Sequence, residues 1–255
     1  MAAISIASCD SGVFTRTLPS VLDRLVAGAT LSTLMASLAW RAGVVTSGGA
    51  FAGGIVALLV YAGFGWSGWL LLGSGLATTV AATRLGHTRK YAAGRRASGN
   101  IVANTGVAGA AAIVALGSDL DVYAAIAAAA AIVTAVSDTV STEAGQVWGQ
   151  RPRLVTSLRQ VPPGTSGAVS VQGLAAGASS ALLLAGVAVS SGLVVGAAAT
   201  LIVATAAVAA SLIEGVIAIV VERRGWLDND GVNLLNALIG AGLAICGCAL
   251  LPLAQ

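Results

Sequence analysis

Asp121-Val122-Tyr123-Ala124-Ala125-Ile126-Ala127-Ala128-Ala129-Ala130-Ala131-Ile132-Val133-Thr134-Ala135-Val136-Ser137-Asp138 is the stretch on which the architecture turns. No charge lies between its two aspartates. A helix needs about 20 mostly apolar residues to cross the roughly 30 Å hydrocarbon layer of a bilayer. Similar runs occupy 22–40, 48–64, 66–83, 100–117, 167–189, 192–221 and 232–252. The first is the weakest, with Asp23 and Arg24 at its mouth. The second and third are divided only by Phe64-Gly65-Trp66, which predicts a tight hairpin. The 192–221 run exceeds one crossing and carries Glu214 near its end. The expectation is an all-α, polytopic transmembrane bundle of seven or eight helices. It forms one integral membrane domain over 1–255, with 1–20 as an N-terminal segment.

Composition agrees. Of 255 residues, 57% are apolar and 9% charged, where soluble domains carry about 25% charged residues. Mean hydropathy is +0.92. Thirteen Lys and Arg with ten Asp and Glu could not cover a water-soluble globule of this size. The same figures exclude a disulfide scaffold, a disordered adaptor and a nucleic-acid partner; the lipid bilayer is the expected surrounding. Cys9 stands alone, Cys246 and Cys248 point to different sides of a helix, and His87 is the sole histidine, so no Cys/His metal site is expected. Ile6-Ala7-Ser8-Cys9 superficially looks like a lipoprotein box but lacks a basic lead and an adequate apolar core. The first spanning segment is therefore expected to direct insertion.

Charge placement orients the bundle. Arg41, the stretch Arg84–Arg96 (Arg84, Arg89, Lys90, Arg95, Arg96), then Arg151, Arg153 and Arg159, then Arg223 and Arg224 all fall on one side when eight spans are drawn. The opposite loop holds Asp119 and Asp121. The positive-inside rule makes the rich side cytoplasmic, and the expectation is a multi-pass protein of the inner or cytoplasmic membrane with its active side cytoplasmic. Trp40, Trp148 and Trp226 fall near that interface, Trp66 and Trp69 near the other. Gly49, Gly53, Gly54, Gly73 and Gly75 read as surfaces where helices approach closely. Thr46-Ser47-Gly48 and Thr165-Ser166-Gly167, each opening a Gly- and Ala-rich helix, hint at two related halves.

Six acids cluster on the positive side: Asp138, Glu143, Glu214, Glu222, Asp228 and Asp230. Asp138 and Glu143 close the fifth helix, where Thr139 shares a face with Glu143 and Asp138 with Thr142. Carboxylates beside hydroxyls suit Mg²⁺, which completes its shell with water and phosphate oxygens; a solvated polar helix end is the other reading. Glu214 lies eight residues before Glu222, roughly 12 Å deeper on a continuous helix. A carboxylate there needs a polar cavity or a partner. Asp228-Asn229-Asp230 with Asn233 is either a further oxygen set or an N-cap. Arg151, Arg153 and Arg159 precede Val161-Pro162-Pro163-Gly164-Thr165-Ser166-Gly167, read as a rigid turn into a helix whose first amides, with arginines nearby, suit an anion. Arg89, Lys90, Arg95 and Arg96 with Asn100 and Asn104 form a second basic loop. Acids and bases arriving together beside hydroxyls suggest a metal and phosphates. A Ser-His triad and a Gly-x-x-x-x-Gly-Lys-Ser/Thr loop are both absent.

Thr46-Ser47-Gly48, Asp138-Thr139 through Ser141, Glu143 and Gly145, Arg153 through Pro162-Pro163-Gly164-Thr165-Ser166-Gly167, and Leu227-Asp228-Asn229-Asp230 with Val232-Asn233 resemble the integral-membrane family that contains transmembrane protein 19 and plant phytyl-phosphate kinase. The resemblance runs from about residue 40 to the C-terminus; Val140 stands where the family pattern has tryptophan, and Glu214 where aspartate is also common. It implies a kinase that converts a prenyl phosphate, of the phytyl or geranylgeranyl type, to the diphosphate with Mg²⁺ and a nucleoside triphosphate, CTP or ATP. It implies Asp138, Glu143, Glu214, Asp228, Asp230 and Asn233 around the metal. Arg153 and Arg159 would act on the transferred phosphoryl group, and Thr46, Arg95, Arg96, Asn100, Asn104 and Gly164 to Gly167 would bind phosphate and substrate. A transporter or flippase for an anionic lipid or small anion is the competing reading. A non-catalytic lipid-binding scaffold and CTP-dependent lipid-alcohol kinase or cytidylyltransferase chemistry also stay open, as does assembly into a homo-oligomer.

Overall fold

The computed structural model describes residues 21–87, 95–221 and 224–250. Seven helices follow one another: α1 (Val21–Arg41), α2 (Ser47–His87), α3 (Ser98–Gly117), α4 (Asp121–Trp148), α5 (Val171–Ser190), α6 (Ala197–Val221) and α7 (Asn229–Leu250). Between α4 and α5 lie two short strands, β1 (Arg153–Leu154) and β2 (Ala168–Val169), paired antiparallel. The sequence pattern, all-α, predicts no strand here.

Helix α2 has 41 residues, which laid straight would extend about 60 Å. Yet the Thr46 amide at its start donates to the Arg96 carbonyl (3.0 Å), and the Arg96 guanidinium reaches Thr83 Oγ1 near its end (3.5 Å). Both ends therefore meet at Arg96, and the helix doubles back at Gly65 (φ 62°, ψ −147°). That backbone conformation is open to glycine at little cost. Trp66 and Trp69 stack beside the turn, 5.3 Å between ring centres. The expected hairpin at Phe64-Gly65-Trp66 is present.

Among the described residues, six helices are long and apolar enough to cross a membrane, and α1 is not one of them. Since α2 supplies two crossings, the bundle has seven, with α1 as a less apolar eighth segment. The fold is a multi-pass helical bundle.

Helix α4 is its axis. Every residue from Ala124 to Ser137 is buried, and the helix touches α2, α3, α5, α6 and α7. Its alanines allow five neighbours to come near one backbone, and within lipid such proximity supplies the packing energy. Against α5 the approach is closest. A Cβ on Gly177 would sit 2.9 Å from Ser141 Cβ, and one on Gly173 2.6 Å from the Ser141 carbonyl oxygen. Ser137 donates its hydroxyl to the Gly177 carbonyl at 3.0 Å.

Several boundaries depart from expectation. Helix α4 continues past Asp138 and Glu143 to Trp148, because charge ends an apolar run without ending a helix. Helix α5 starts at Val171 rather than 167, capped by Ser170, whose Oγ accepts from the Gly173 amide at 3.1 Å. Helix α6 starts at Ala197 rather than 192, after Gly192 and Gly196 adopt positive φ. Thr46 caps α2 through Gly49 (3.0 Å), whereas Thr165 folds back onto the Pro162 carbonyl four residues before β2 has ended. The two Thr-Ser-Gly triplets thus do different local work: only the first caps a helix. Gly49 and Gly75 are close-packed, and Gly53 and Gly54 make ordinary contacts, but Gly73 has nothing within 4 Å.

Candidate functional site

The loops after α1, after α2, between α4 and α5, and before α7 meet at one end of the bundle. Val45 pairs with Arg96, Asn100 Nδ2 donates to Asp230 Oδ1 at 3.3 Å, and Gly167 presses on Gly215. All the described arginines named above as one side lie at this end, with Trp40, Trp148 and Trp226 exposed around it.

At this end a polar cavity of about 730 Å³ opens between α3, α4, α6, α7 and the loop that precedes α5. Helix α4 lines it with Asp138, Thr139, Thr142 and Glu143, which fall on adjoining faces because i and i+4 residues stack on a helix. Helix α6 adds Glu214, which stands within two turns of Val221. Asn100 and Asn104 of α3, Arg95 and Arg96 before it, Asp230 and Asn233 of α7, and Gly164, Thr165, Ser166 and Gly167 complete the wall.

The centre of the wall is a pair of carboxyls. Asp138 on α4 and Glu214 on α6 are in side-chain hydrogen-bond contact. Two carboxylates share such a contact only with a proton or a cation between them. Arg96 faces them from α3's side. Its guanidinium donates to Asn100 Oδ1 (3.2 Å), and Asn100 passes the link on to Asp230. Burial pulls the Arg96 pKa down from its usual value, and the negative charge of Glu143 pushes it back up.

Glycines hold these groups in place. Gly99 has Asp230 Oδ2 only 2.5 Å from where a Cβ would sit. Gly167 (φ 72°) would drive a Cβ to 2.5 Å from the Gly215 carbonyl oxygen, next to Glu214, so the loop can lie against α6 only with glycine there.

Four of the expected site residues lie outside the cavity. Arg153 donates to the Leu158 carbonyl at 2.8 Å within its own exposed loop, and Arg159 is exposed in the same loop. Asp228 caps α7, its Oδ1 accepting from the Gly231 amide at 2.9 Å. Thr46 spends its hydroxyl on the α2 cap. The amides expected to offer a helix N-terminus around Thr165 do not do so: Thr165 N donates to Pro162 O (3.3 Å), and α5 begins later. Arg89, Lys90 and Glu222 lie outside the described residues. Of the six clustered acids, Asp138, Glu143, Glu214 and Asp230 therefore share one cavity.

Thr83, Gln146 and Ser211 also line the wall and were not singled out from the sequence. Ser211 and Gln146 carried a signal, since each lies three residues from an acid on the same helix, Glu214 and Glu143. Thr83 carried none, because only the doubling back of α2 brings it here. Val140, in place of tryptophan, packs against the apolar core.

Among the described residues no three His, Cys, Asp or Glu side chains form a ready-made metal cage. The donor set suits a cation that arrives with its ligand: Mg²⁺ is commonly held by one or two carboxylates plus substrate phosphates, and Asp138 and Glu214 supply two.

A family model described as "Integral membrane protein DUF92" matches residues 30–241. An uncharacterized membrane protein of Synechocystis is 31% identical over 200 residues, which is 75% of this chain and 78% of that protein. The chloroplastic protein VTE6 of Arabidopsis thaliana is 30% identical over 214 residues, 79% of this chain and 64% of its own length. An uncharacterized membrane protein of Methanocaldococcus jannaschii is 27% identical over 114 residues, 45% of this chain and 47% of that one. No solved structure matches significantly.

Proposed function

The chain belongs to the DUF92 integral membrane family, and from that premise we propose that it is a Mg²⁺-dependent kinase of isoprenoid monophosphates. The observation that carries the reading is the Asp138–Glu214 contact, set in a polar wall that also holds Arg95 and Arg96. In the reaction an oxygen of the prenyl phosphate bonds to the γ-phosphorus of CTP or ATP. The bond from that phosphorus to the β–γ bridging oxygen breaks, and the nucleoside diphosphate leaves. The acceptor is already ionised, so positioning and charge neutralisation dominate the chemistry.

Asp138 and Glu214 would hold Mg²⁺, which when bound neutralises the nucleotide phosphates. Arg95 and Arg96 orient the acceptor phosphate at the mouth of α3. Asn100 keeps the Arg96 fork directed through its two hydrogen bonds. Glu143 balances Arg96, and Asp230 with Asn233 borders the nucleotide. Since nucleotide is supplied from the cytoplasm, the arginine-rich end faces it.

A transporter needs a polar path to both surfaces. Here the polar groups gather at one end, and the axis beneath them is closed by the buried alanine run of α4. That arrangement favours the kinase.

The deciding assay supplies purified protein with Mg²⁺, labelled nucleotide and a set of prenyl monophosphates. Labelled diphosphate is the expected product, lost in both Asp138→Asn and Glu214→Gln. Full activity in the two variants, or no transfer by the natural chain to any acceptor, would reject the reading.

A further inference from the structure

Beside the polar cavity lies a second, apolar one of about 100 Å³. We infer that it receives only the head-proximal part of the acceptor's isoprenoid chain, and that the remainder leaves between α1 and α3 into the bilayer. The inference rests on the kinase reading for the identity of the phosphate it serves.

Three observations converge. Arg96, Asn100, Asn104 and Thr139 line both cavities, so a phosphate on Arg96 has its apolar substituent at the neck of the second. Beyond that neck the lining is Gly53, Leu72, Ile101, Ile132 and Val136, with Met35 of α1. Size then sets the limit. An apolar cavity of about 150 Å³ accommodates benzene, six carbons, so this one has room for roughly one five-carbon unit. A longer chain must leave.

The way out follows from the packing. Helices α1 and α3 both line the cavity, yet α1 packs extensively against α2 and at most marginally against α3. Leu38 of α1 and Val102 of α3 are exposed, on the surface that the bilayer covers. The seam between the two helices is where the chain passes. Recognition therefore falls on the first isoprene unit and disregards total length.

Gly53 offers the test. A Cβ there meets only Ile101 Cγ2, at 3.6 Å, an ordinary contact, so Gly53→Leu places its bulk in the cavity without displacing the backbone. The full chain in nanodiscs is titrated, without nucleotide, with radiolabelled geranyl, farnesyl and geranylgeranyl monophosphate at matched mole fractions in the bilayer. The three should bind the natural chain within about threefold of one another, and Gly53→Leu should weaken all three by about tenfold or more. Should Gly53→Leu fail to stay monodisperse, Ala39→Leu from the α1 wall gives the same readout.

Unchanged binding in the variant, affinity that climbs with each added isoprene unit, or no binding of any of the three overturns the inference. Binding as expected with no phosphoryl transfer on adding nucleotide removes the kinase reading and leaves the cavity assignment standing. Transfer with binding indifferent to Gly53→Leu removes the cavity assignment alone.

Discussion

Gly167 shows how one missing methyl group positions a carboxylate. The loop before α5 touches α6 at Gly215, next to Glu214, and only the absence of a Cβ permits the approach. Gly167→Ala meets both positive φ and a backbone clash, and should cost about 1–3 kcal/mol. On the kinase reading, turnover should fall more steeply than thermal stability in detergent, because the displaced wall lines the polar cavity. Gly164 also has positive φ but has no neighbour within 4 Å, and Gly164→Ala should be milder in both measurements. The arginines divide in the same manner. Arg96→Ala removes the fork that binds Asn100 and faces Glu143, and should lower kcat/KM about 100-fold or more. Arg159→Ala, in the exposed loop, should leave it within about twofold. Steady-state kinetics on the two variants checks the assignment, and equal losses would contradict it. Both arginines look alike in the sequence, where each is simply a basic residue near an acidic cluster.

The α4–α5 crossing decides where Asp138 points. Gly173 and Gly177, four residues apart, let α5 lie against Ser137, Ser141 and Gly145. Gly177→Leu should force the helices apart at a cost of about 1–3 kcal/mol and reduce activity along with it. Thermal unfolding in detergent, run beside the assay, measures both; unchanged stability would show that the contact is not tight. The elements differed in how readable they were. The α2 hairpin could be read because Gly65 interrupts two apolar runs of crossing length, with tryptophans beside it. The continuation of α4 beyond Glu143 could not, because hydropathy records where apolar residues stop and is indifferent to a polar helix that continues. The β1–β2 pair is illegible in the sequence for a related reason. Two residues per strand leave no alternating pattern, and the pairing is fixed by the turn at Pro162-Pro163-Gly164 and by the contact with α6.

Across the assembled bundle, the arrangement of its loops makes a prediction about sides. The loop holding Ser118 lies at the end opposite to the loop holding Thr156. In a background with Cys9, Cys246 and Cys248 replaced by alanine, Ser118→Cys should react with a membrane-impermeant maleimide from outside intact cells. Thr156→Cys should react only after the membrane is opened. Labelling of both from the same side would refute the topology.

Charge-poor composition and runs of crossing length were enough to establish a membrane bundle, its approximate number of passes and the gathering of its arginines on one side. These are sums over local residue chemistry, and a linear chain displays them directly. The candidate acids could also be named in advance, because ten carboxylates among 255 residues are few enough to weigh singly. Which of them meet was left to the folded state. Asp138 reaches Glu214, while Asp228 turns back to cap its own helix, because facing across a cavity depends on helix rotation and on interhelical distance. Both are set by contacts between backbones at Gly167, Gly173 and Gly177, each distant along the chain from the carboxylates they aim, and no local pattern encodes them.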